Sequence, residues 1–266
     1  MVSLSNHILK RLVGLEYRYM KQKTIEERFH MARNDPSLVV IEGFHPLKHA
    51  VRFGAELLEV VSPNLQELTA LQSEYAPDIA VALNGLATAV PNDVFDKLAP
   101  VNPPTGVMAI ARRPAVDLAA LLDDPAPAPV VLLENPRNLF NIGAAVRAAA
   151  AAGAAGVVNT GNLDPWKPAA LTTGVGLQFA LPVARTEALP ECARPLVAVD
   201  LGGDPLLDFR VPDRALLAFG TERRGLSREL LDSADLRVSI PMENGVSSLN
   251  LACSVAVVLY HWKLGK

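Results

Sequence analysis

Residues 238–260 read Val-Ser-Ile-Pro-Met-Glu-Asn-Gly-Val-Ser-Ser-Leu-Asn-Leu-Ala-Cys-Ser-Val-Ala-Val-Val-Leu-Tyr, and few folds can house that order. Leu236 to Ile240 has the character of a short strand, and Pro241 ends it because proline has no N–H to give a ladder. A polar loop follows from Met242 to Ser247. Ser247 or Ser248 is placed to cap a helix running to about Trp262. From Leu251 that helix is apolar nearly all round, with Ser254 the only polar residue before Tyr260. A helix apolar on every side is expected to be buried on every side, and this one is shorter than the roughly 20 residues a bilayer span needs. Two readings stay open for the stretch alone: a ligand loop backed by a buried helix, or a core helix with an ordinary surface turn.

Upstream, strands and helices alternate. Residues 1–34 read as a polar helical lead with Leu4, Ile8, Leu12 and Leu15 at helical spacing. From 38 to 111 the pattern predicts strands at Leu38–Ile41, Leu57–Val61, Ile79–Leu83 and Gly106–Ala111, with helices at Pro46–Phe53, Leu65–Glu74 and Asp93–Leu98 between them. This is a small α/β domain, in which Glu42-Gly-Phe-His45 is the one suggestive group and a plain turn is its simpler reading. Residues 112–129 break the alternation and end in Pro-Ala-Pro-Ala-Pro129. Such a run is stiff and extended and is not expected to join a core, which puts a domain boundary and linker here. A second α/β domain then spans 130–266. It opens with the strand Val130–Leu133 and the loop Glu134-Asn-Pro-Arg-Asn-Leu-Phe-Asn141. Asn141 is a good N-cap for an alanine-rich helix stopped by Gly153. Arg147 is the only charge in that helix, placed either for a partner or as a snorkelling rim residue. Strands follow at Gly156–Asn159, Leu196–Asp200 and Ala215–Phe219, with a helix of weak propensity at Ala169–Phe179. The last of these strands runs into Gly220-Thr-Glu-Arg-Arg-Gly-Leu-Ser227, where an open α/β sheet places ligands.

Charge and composition exclude several classes. Half of the 266 residues are hydrophobic and the net charge is −3, so a large core is available and the chain lacks the globally basic signature of many nucleic-acid binders. The basic surplus is local: seven basic residues against three acidic ones within 1–34. Lys10, Arg11, Arg18, Lys21, Lys23 and Arg28, interleaved with Tyr17, Tyr19 and His30, are candidates to grip an RNA backbone, or else make a solvated helix face. Cys192 and Cys253 form no disulfide or metal framework, and Cys253 is expected in the core. The N-terminus shows no signal-peptide core. A soluble cytoplasmic protein is expected, without membrane or metal. The dinucleotide and phosphate-loop fingerprints are missing.

Three loops after three strands, Asn141-Ile-Gly143 to Arg147, Gly220 to Gly225, and Ile240-Pro-Met to Ser248-Leu-Asn250, together resemble the three motifs of the SpoU/TrmH family of RNA ribose 2′-O-methyltransferases, within the SPOUT superfamily. The resemblance covers about 129–266. More loosely, residues 1–111 resemble the RNA-binding domain that precedes the catalytic domain in some members and is itself similar to ribosomal proteins that bind RNA kinks. The layout is similar to that of the thiostrepton-resistance enzymes.

The resemblance implies an α/β domain closed by a deep trefoil knot, a homodimer formed through the C-terminal domain, and S-adenosylmethionine held near Phe219, Gly220, Gly225, Ile240, Met242 and Leu249. It implies methyl transfer to a ribose 2′-hydroxyl, most simply of ribosomal RNA, with transfer RNA as the alternative target and a non-catalytic RNA-binding or assembly factor as the alternative role. Arg147 is the family's catalytic arginine by position. Arginine stays protonated, so it would bind the neighbouring phosphate and stabilise the developing alkoxide rather than act as base. Asn141 and Glu222 would orient Arg147 or the RNA, and Ser248 and Asn250 would fix the substrate side and the loop. Phe140, Thr172 and Asn244 depart from the family pattern.

Overall fold

A computed structural model describes residues 22–83, 85–221 and 224–265. Lys10, Arg11, Arg18, Lys21 and Glu222 lie outside them. The first described helix, α1 (Ile25–Asn34), is opened by a reciprocal capping box of Thr24 and Glu27. There follow β1 (Leu38–Glu42), α2 (Phe44–Arg52), β2 (Leu57–Ser62), α3 (Leu65–Tyr75), α4 (Ala80–Leu83), β3 (Ala87–Ala89), α5 (Asn92–Phe95) and β4 (Met108–Arg112). The strands form a sheet in the order β1-β4-β2-β3, antiparallel except for the β2/β3 pair. The strand expected at Ile79–Leu83 is helical instead. Pro77 starts a 3-10 turn that runs into α4, and β3, three residues of Ala and Thr, carries too little apolar pattern to be read from sequence.

Residues 112–129 are more than a linker. They hold α6 (Leu118–Asp123), capped by Asp117, whose Leu121 and Leu122 are buried under the second sheet. The α6 end is clamped by Arg194, only 3% exposed. Its guanidinium donates to the carbonyls of Leu121, Leu122, Asp124, Ala128 and Arg214. The Pro-Ala run is not the extended segment its composition suggests: it bends at Ala126 and Pro127, with Ala128 N donating to the Ala126 carbonyl at 2.8 Å and Ala126 N to Asp124 Oδ1 at 2.8 Å. The chain's fixation comes from the leucines before it.

The second lobe continues with β5 (Val130–Leu133), α7 (Leu139–Ala152), β6 (Gly156–Thr160), α8 (Pro168–Thr173), β7 (Val183–Thr186), β8 (Leu196–Pro205), β9 (Leu216–Phe219), α9 (Arg228–Ser233), β10 (Leu236–Ser239) and α10 (Leu251–Leu264). Its six strands are all parallel, in the order β10-β8-β9-β5-β6-β7. Alternation along β5 sends Val131 and Leu133 to one core cluster and Val130 and Leu132 to the other, the double burial a parallel sheet requires. The chain winds outward one way from β5 through β6 to β7, and the other way from β9 to β10. The sheet therefore reverses between β5 and β9.

Several local expectations are corrected. Asn138, not Asn141, caps α7, because the helix starts at Leu139 and swallows Asn141 into its first turn. Asn250, not Ser247 or Ser248, caps α10. The helix expected over Ala169–Phe179 breaks at Gly174–Gly176, where Val175 adopts φ +47°. And α10 is not buried all round: Val255, Val258, Leu259 and Trp262 are, but Cys253, Val257, Tyr260 and Leu264 are exposed. They share one stripe at i, i+4, i+7 and i+11.

The lobes are joined by polar bonds: Arg113 to Asp164 at 2.8 Å, Lys167 Nζ to the Arg33 carbonyl at 3.0 Å, and His49 Nδ1 to the Val175 carbonyl at 2.7 Å. Desolvation pulls His49 below the usual histidine pKa against that backbone bond.

Candidate functional site

The middle of β8 and the carboxyl end of β9 open into a cavity of about 380 Å³ roofed by the loop that follows β10, within the range of small-ligand sites. Phe219, Ile240, Met242 and Leu249 supply an apolar slot, while Gly220, Gly225 and Ser248 bring backbone and hydroxyl groups. All six residues assigned to the cofactor thus line one cavity. Asp200, midway along β8, lines it too and was not identified from sequence, because nothing in Val-Asp-Leu-Gly-Gly marks it as a site residue.

Backbone close approach builds the cavity floor. Thr221 and Gly225 exchange bonds of 3.1 and 2.9 Å, folding the segment after β9 back on itself. A Cβ at Gly220 would fall inside contact distance of the Gly225 carbonyl and Leu226 N, so the turn closes only over glycine. The roof is open in hydrogen-bonding terms. Among the described residues, loop 240–249 makes one internal backbone bond, Val246 N to Glu243 O at 3.0 Å. The rest of the loop is largely exposed.

The first and third loops meet through one bond. Asn250 Oδ1 accepts from Ala252 N at 2.9 Å and Cys253 N at 3.4 Å, capping α10, and this fixes its amide orientation. Its Nδ2 then donates to Asn141 Oδ1 at 2.9 Å. Asn141 and Asn250 are thus brought together. Arg147 is not with them: it lines neither this cavity nor the next. It is exposed on α7, in a stripe with Phe140, Ala144 and Ala151 beside the exposed stripe of α10, which packs on α7. Gly143 permits the opposite face of α7 to touch α8, since a Cβ there would overlap the Ala170 carbonyl.

A second cavity, of about 880 Å³, lies between the loops after β5 and β9 and shares Thr221, Arg224 and Gly225 with the first. It is polar: Asn135, Arg137, Asn138, Asn141 and Ser227 line it, with Glu134 its one described acid. Both Glu134 oxygens are taken by Ser227, whose N donates at 2.6 Å and whose hydroxyl donates to the other.

In the first lobe, Arg28 is not available to RNA as expected. Its Nε donates to Glu59 at 2.8 Å and its Nη1 to the Lys23 carbonyl at 2.6 Å. Helix α1 folds back on β2, so the guanidinium holds the lobe together. Among the described residues no group of three His, Cys, Asp or Glu is placed to hold a metal, and no helix is long and apolar enough to cross a membrane.

Comparison with known proteins adds three findings. The profile of the SpoU rRNA Methylase family matches residues 128–260. The chain is 30% identical over 242 residues, 83% of its length and 80% of the relative's, to the 23S rRNA (uridine(2479)-2'-O)-methyltransferase of Streptomyces viridochromogenes. It is 30% identical over 253 residues, 90% of each chain, to the 23S rRNA (adenosine(1067)-2'-O)-methyltransferase of Streptomyces laurentii. The crystal structure of the SpoU methyltransferase AviRb from Streptomyces viridochromogenes with AdoMet superposes with a TM-score of 0.73 at 25% identity, covering 94% of this chain and 97% of that one.

Proposed function

This chain belongs to the SpoU rRNA methylase family, and from that premise we propose that it transfers a methyl group from S-adenosylmethionine to a ribose 2′-hydroxyl of ribosomal RNA. The observation that carries the reading is the meeting of Phe219, Gly220, Gly225, Ile240, Met242 and Leu249 on one cavity. An apolar slot with backbone and hydroxyl groups beside it suits an adenosine held by its faces and edges. The cofactor supplies an electrophilic methyl on a sulfonium; the chain supplies alignment and charge.

A ribose hydroxyl is a poor nucleophile, so its oxygen must gain anionic character as the methyl moves. Arg147 stabilises that charge and the adjacent phosphate. Asn141, held by Asn250, orients the ribose side, and Ser248 lines the cavity from its roof. Glu222 orients Arg147 or the RNA. The exposed stripes of α7 and α10 form the face of a homodimer. Phe140, 61% exposed, with Val257 and Tyr260 gives it the apolar area that a stable interface needs. Arg147 lies on that face, so dimerisation carries it against the second copy. The segment 240–250 is threaded as the family's trefoil knot. The passage of the chain from β10, at one sheet edge, back to α10 on α7 supports this. Residues 1–111 form the RNA-binding domain and 130–266, with α6, the methyltransferase domain, working in the cytoplasm. The two relatives take different bases, uridine and adenosine, as ribose chemistry allows; the base is chosen by RNA contacts, not by the transfer itself.

The test is methyl transfer in vitro to unmodified ribosomal and transfer RNA, with ribose methylation mapped. Arg147→Ala is expected to abolish transfer while S-adenosylhomocysteine affinity stays within a few-fold. A fully active Arg147→Ala removes the role given to that residue, and methylation of transfer RNA alone overturns the substrate assignment.

A further inference from the structure

Of the fourteen described arginines, ten are tied to carboxylates or carbonyls of the chain. Arg28, Arg33, Arg52, Arg112 and Arg113 face Glu59, Glu42, Asp78, Glu56 and Asp164. Arg228 and Arg237 share Asp232, and Arg185, Arg194 and Arg214 bond backbone oxygens. Four make no side-chain bond to a described residue: Arg137, Arg147, Arg210 and Arg224. Two of these, Arg137 and Arg224, line the same cavity. They come from different strands, Arg137 from the loop after β5 and Arg224 from the loop after β9.

Three features of that cavity point the same way. It lies beyond the carboxyl ends of β5 and β9, the two adjacent strands at which the sheet reverses direction, where open α/β sheets bind ligands. Its one described acid, Glu134, pairs with neither arginine: both of its oxygens bond Ser227 instead, so two described cations face one described carboxylate there. And it joins the first cavity along Thr221, Arg224 and Gly225, so a ligand here lies next to whatever fills the other. Two uncommitted, always-charged forks over a polar hollow select an anion with planar or tetrahedral oxygen pairs.

We infer that Arg137 and Arg224 clamp successive phosphodiesters of the substrate RNA across the second cavity, holding the target ribose against the cofactor cavity. Arg137 lines only the second cavity, while Arg224 lines both, at the junction between them. Asn138, whose Oδ1 accepts from Phe140 N at 2.8 Å, lines the same hollow. The inference rests on the methyltransferase reading for its substrate.

The experiment uses the full chain with Arg137→Gln, Arg224→Gln and the charge-retaining Arg137→Lys and Arg224→Lys. The dissociation constant for in vitro-transcribed 23S rRNA is measured across a salt series, with S-adenosylhomocysteine affinity by calorimetry and thermal unfolding beside it. Each glutamine variant is expected to weaken RNA binding about 10-fold and to lower the salt slope by about one contact's share, roughly 0.7 to 0.9. The lysine variants keep the slope, and cofactor affinity stays within two-fold throughout. An Arg137→Gln protein with unchanged RNA affinity and slope overturns the clamp. So does an Arg224→Gln protein that loses S-adenosylhomocysteine affinity and keeps its RNA slope, which would make Arg224 a cofactor residue. If wild-type protein binds the transcript with the full slope yet methylates neither ribosomal nor transfer RNA, the clamp stands and the methyltransferase reading is what fails.

Discussion

Asn250 does two jobs with one amide, and substitutions separate them. Its Oδ1 caps α10 through Ala252 N and Cys253 N, and its Nδ2 holds Asn141. Asn250→Ala loses both. The cap is worth about 1 kcal/mol and a neutral side-chain bond about 1 kcal/mol, so about 2 kcal/mol of stability should go, roughly 5 °C in Tm for a chain of this size. Asn250→Asp keeps the acceptor and places a negative charge at a helix N-terminus, which is favourable by about 0.3–1 kcal/mol. It turns the donor facing Asn141 Oδ1 into a second acceptor. Stability should therefore stay within about 1 kcal/mol of wild type, while methyl transfer falls at least about 10-fold because Asn141 is released. Asn141 has further interactions, so the link itself is isolated by a double-mutant cycle of Asn141→Ala with Asn250→Ala, read by urea unfolding. A coupling of about 1 kcal/mol is expected. Asn250→Asp as unstable as Asn250→Ala, or a coupling near zero, would refute the division of labour.

Two other outcomes follow from burial. Arg194→Met strips donors from five carbonyls that the guanidinium serves, and should cost about 3–5 kcal/mol. Proteolysis in 112–129 should appear first, because α6 is the element released; a melting curve like wild type would show that water replaces the clamp. His49 has its pKa lowered, chiefly by desolvation, with Lys48, Arg52 and His45 adding to it. Burial disfavours its charged form, so the stabilisation is present above about pH 6.5 and is lost as pH falls through the folded-state pKa. The drop in Tm between pH 7.5 and pH 5.5 should be smaller in His49→Gln than in wild type, and an equal drop would remove His49 from the interface account.

How much of this was legible in the chain depends on whether a feature is local. That Phe219, Gly220, Gly225, Ile240, Met242 and Leu249 would lie near one another was an expectation carried by the family resemblance, and they line one cavity; the glycine at 220 and proline at 241 that shape its backbone are local features written in short segments. Helix caps were legible in type but misplaced by a turn. Asn138 and Asn141 are equally good caps in isolation, and Leu139 joining the core cluster decides between them. The all-round apolar pattern of α10 was read as all-round burial, but one stripe of it, Cys253, Val257, Tyr260 and Leu264, is exposed. Its exposed half, Cys253 to Leu264, is consistent with a surface reserved for a second copy.

The arginines mark the limit. From sequence, Arg28 and Arg137 differ in nothing but neighbours: one sits in a basic run and looked like an RNA contact, the other in a loop and drew no notice. The fold inverts them. Glu59, thirty-one residues away, pairs with Arg28, while Glu134, which lines the same cavity as Arg137, bonds Ser227, ninety-three residues on, and not the arginine. Whether a cation is spent or free is a property of pairs that meet only in the folded chain. A cluster of free cations in a hollow is therefore stronger grounds for an anionic ligand than any density of lysine and arginine along the sequence.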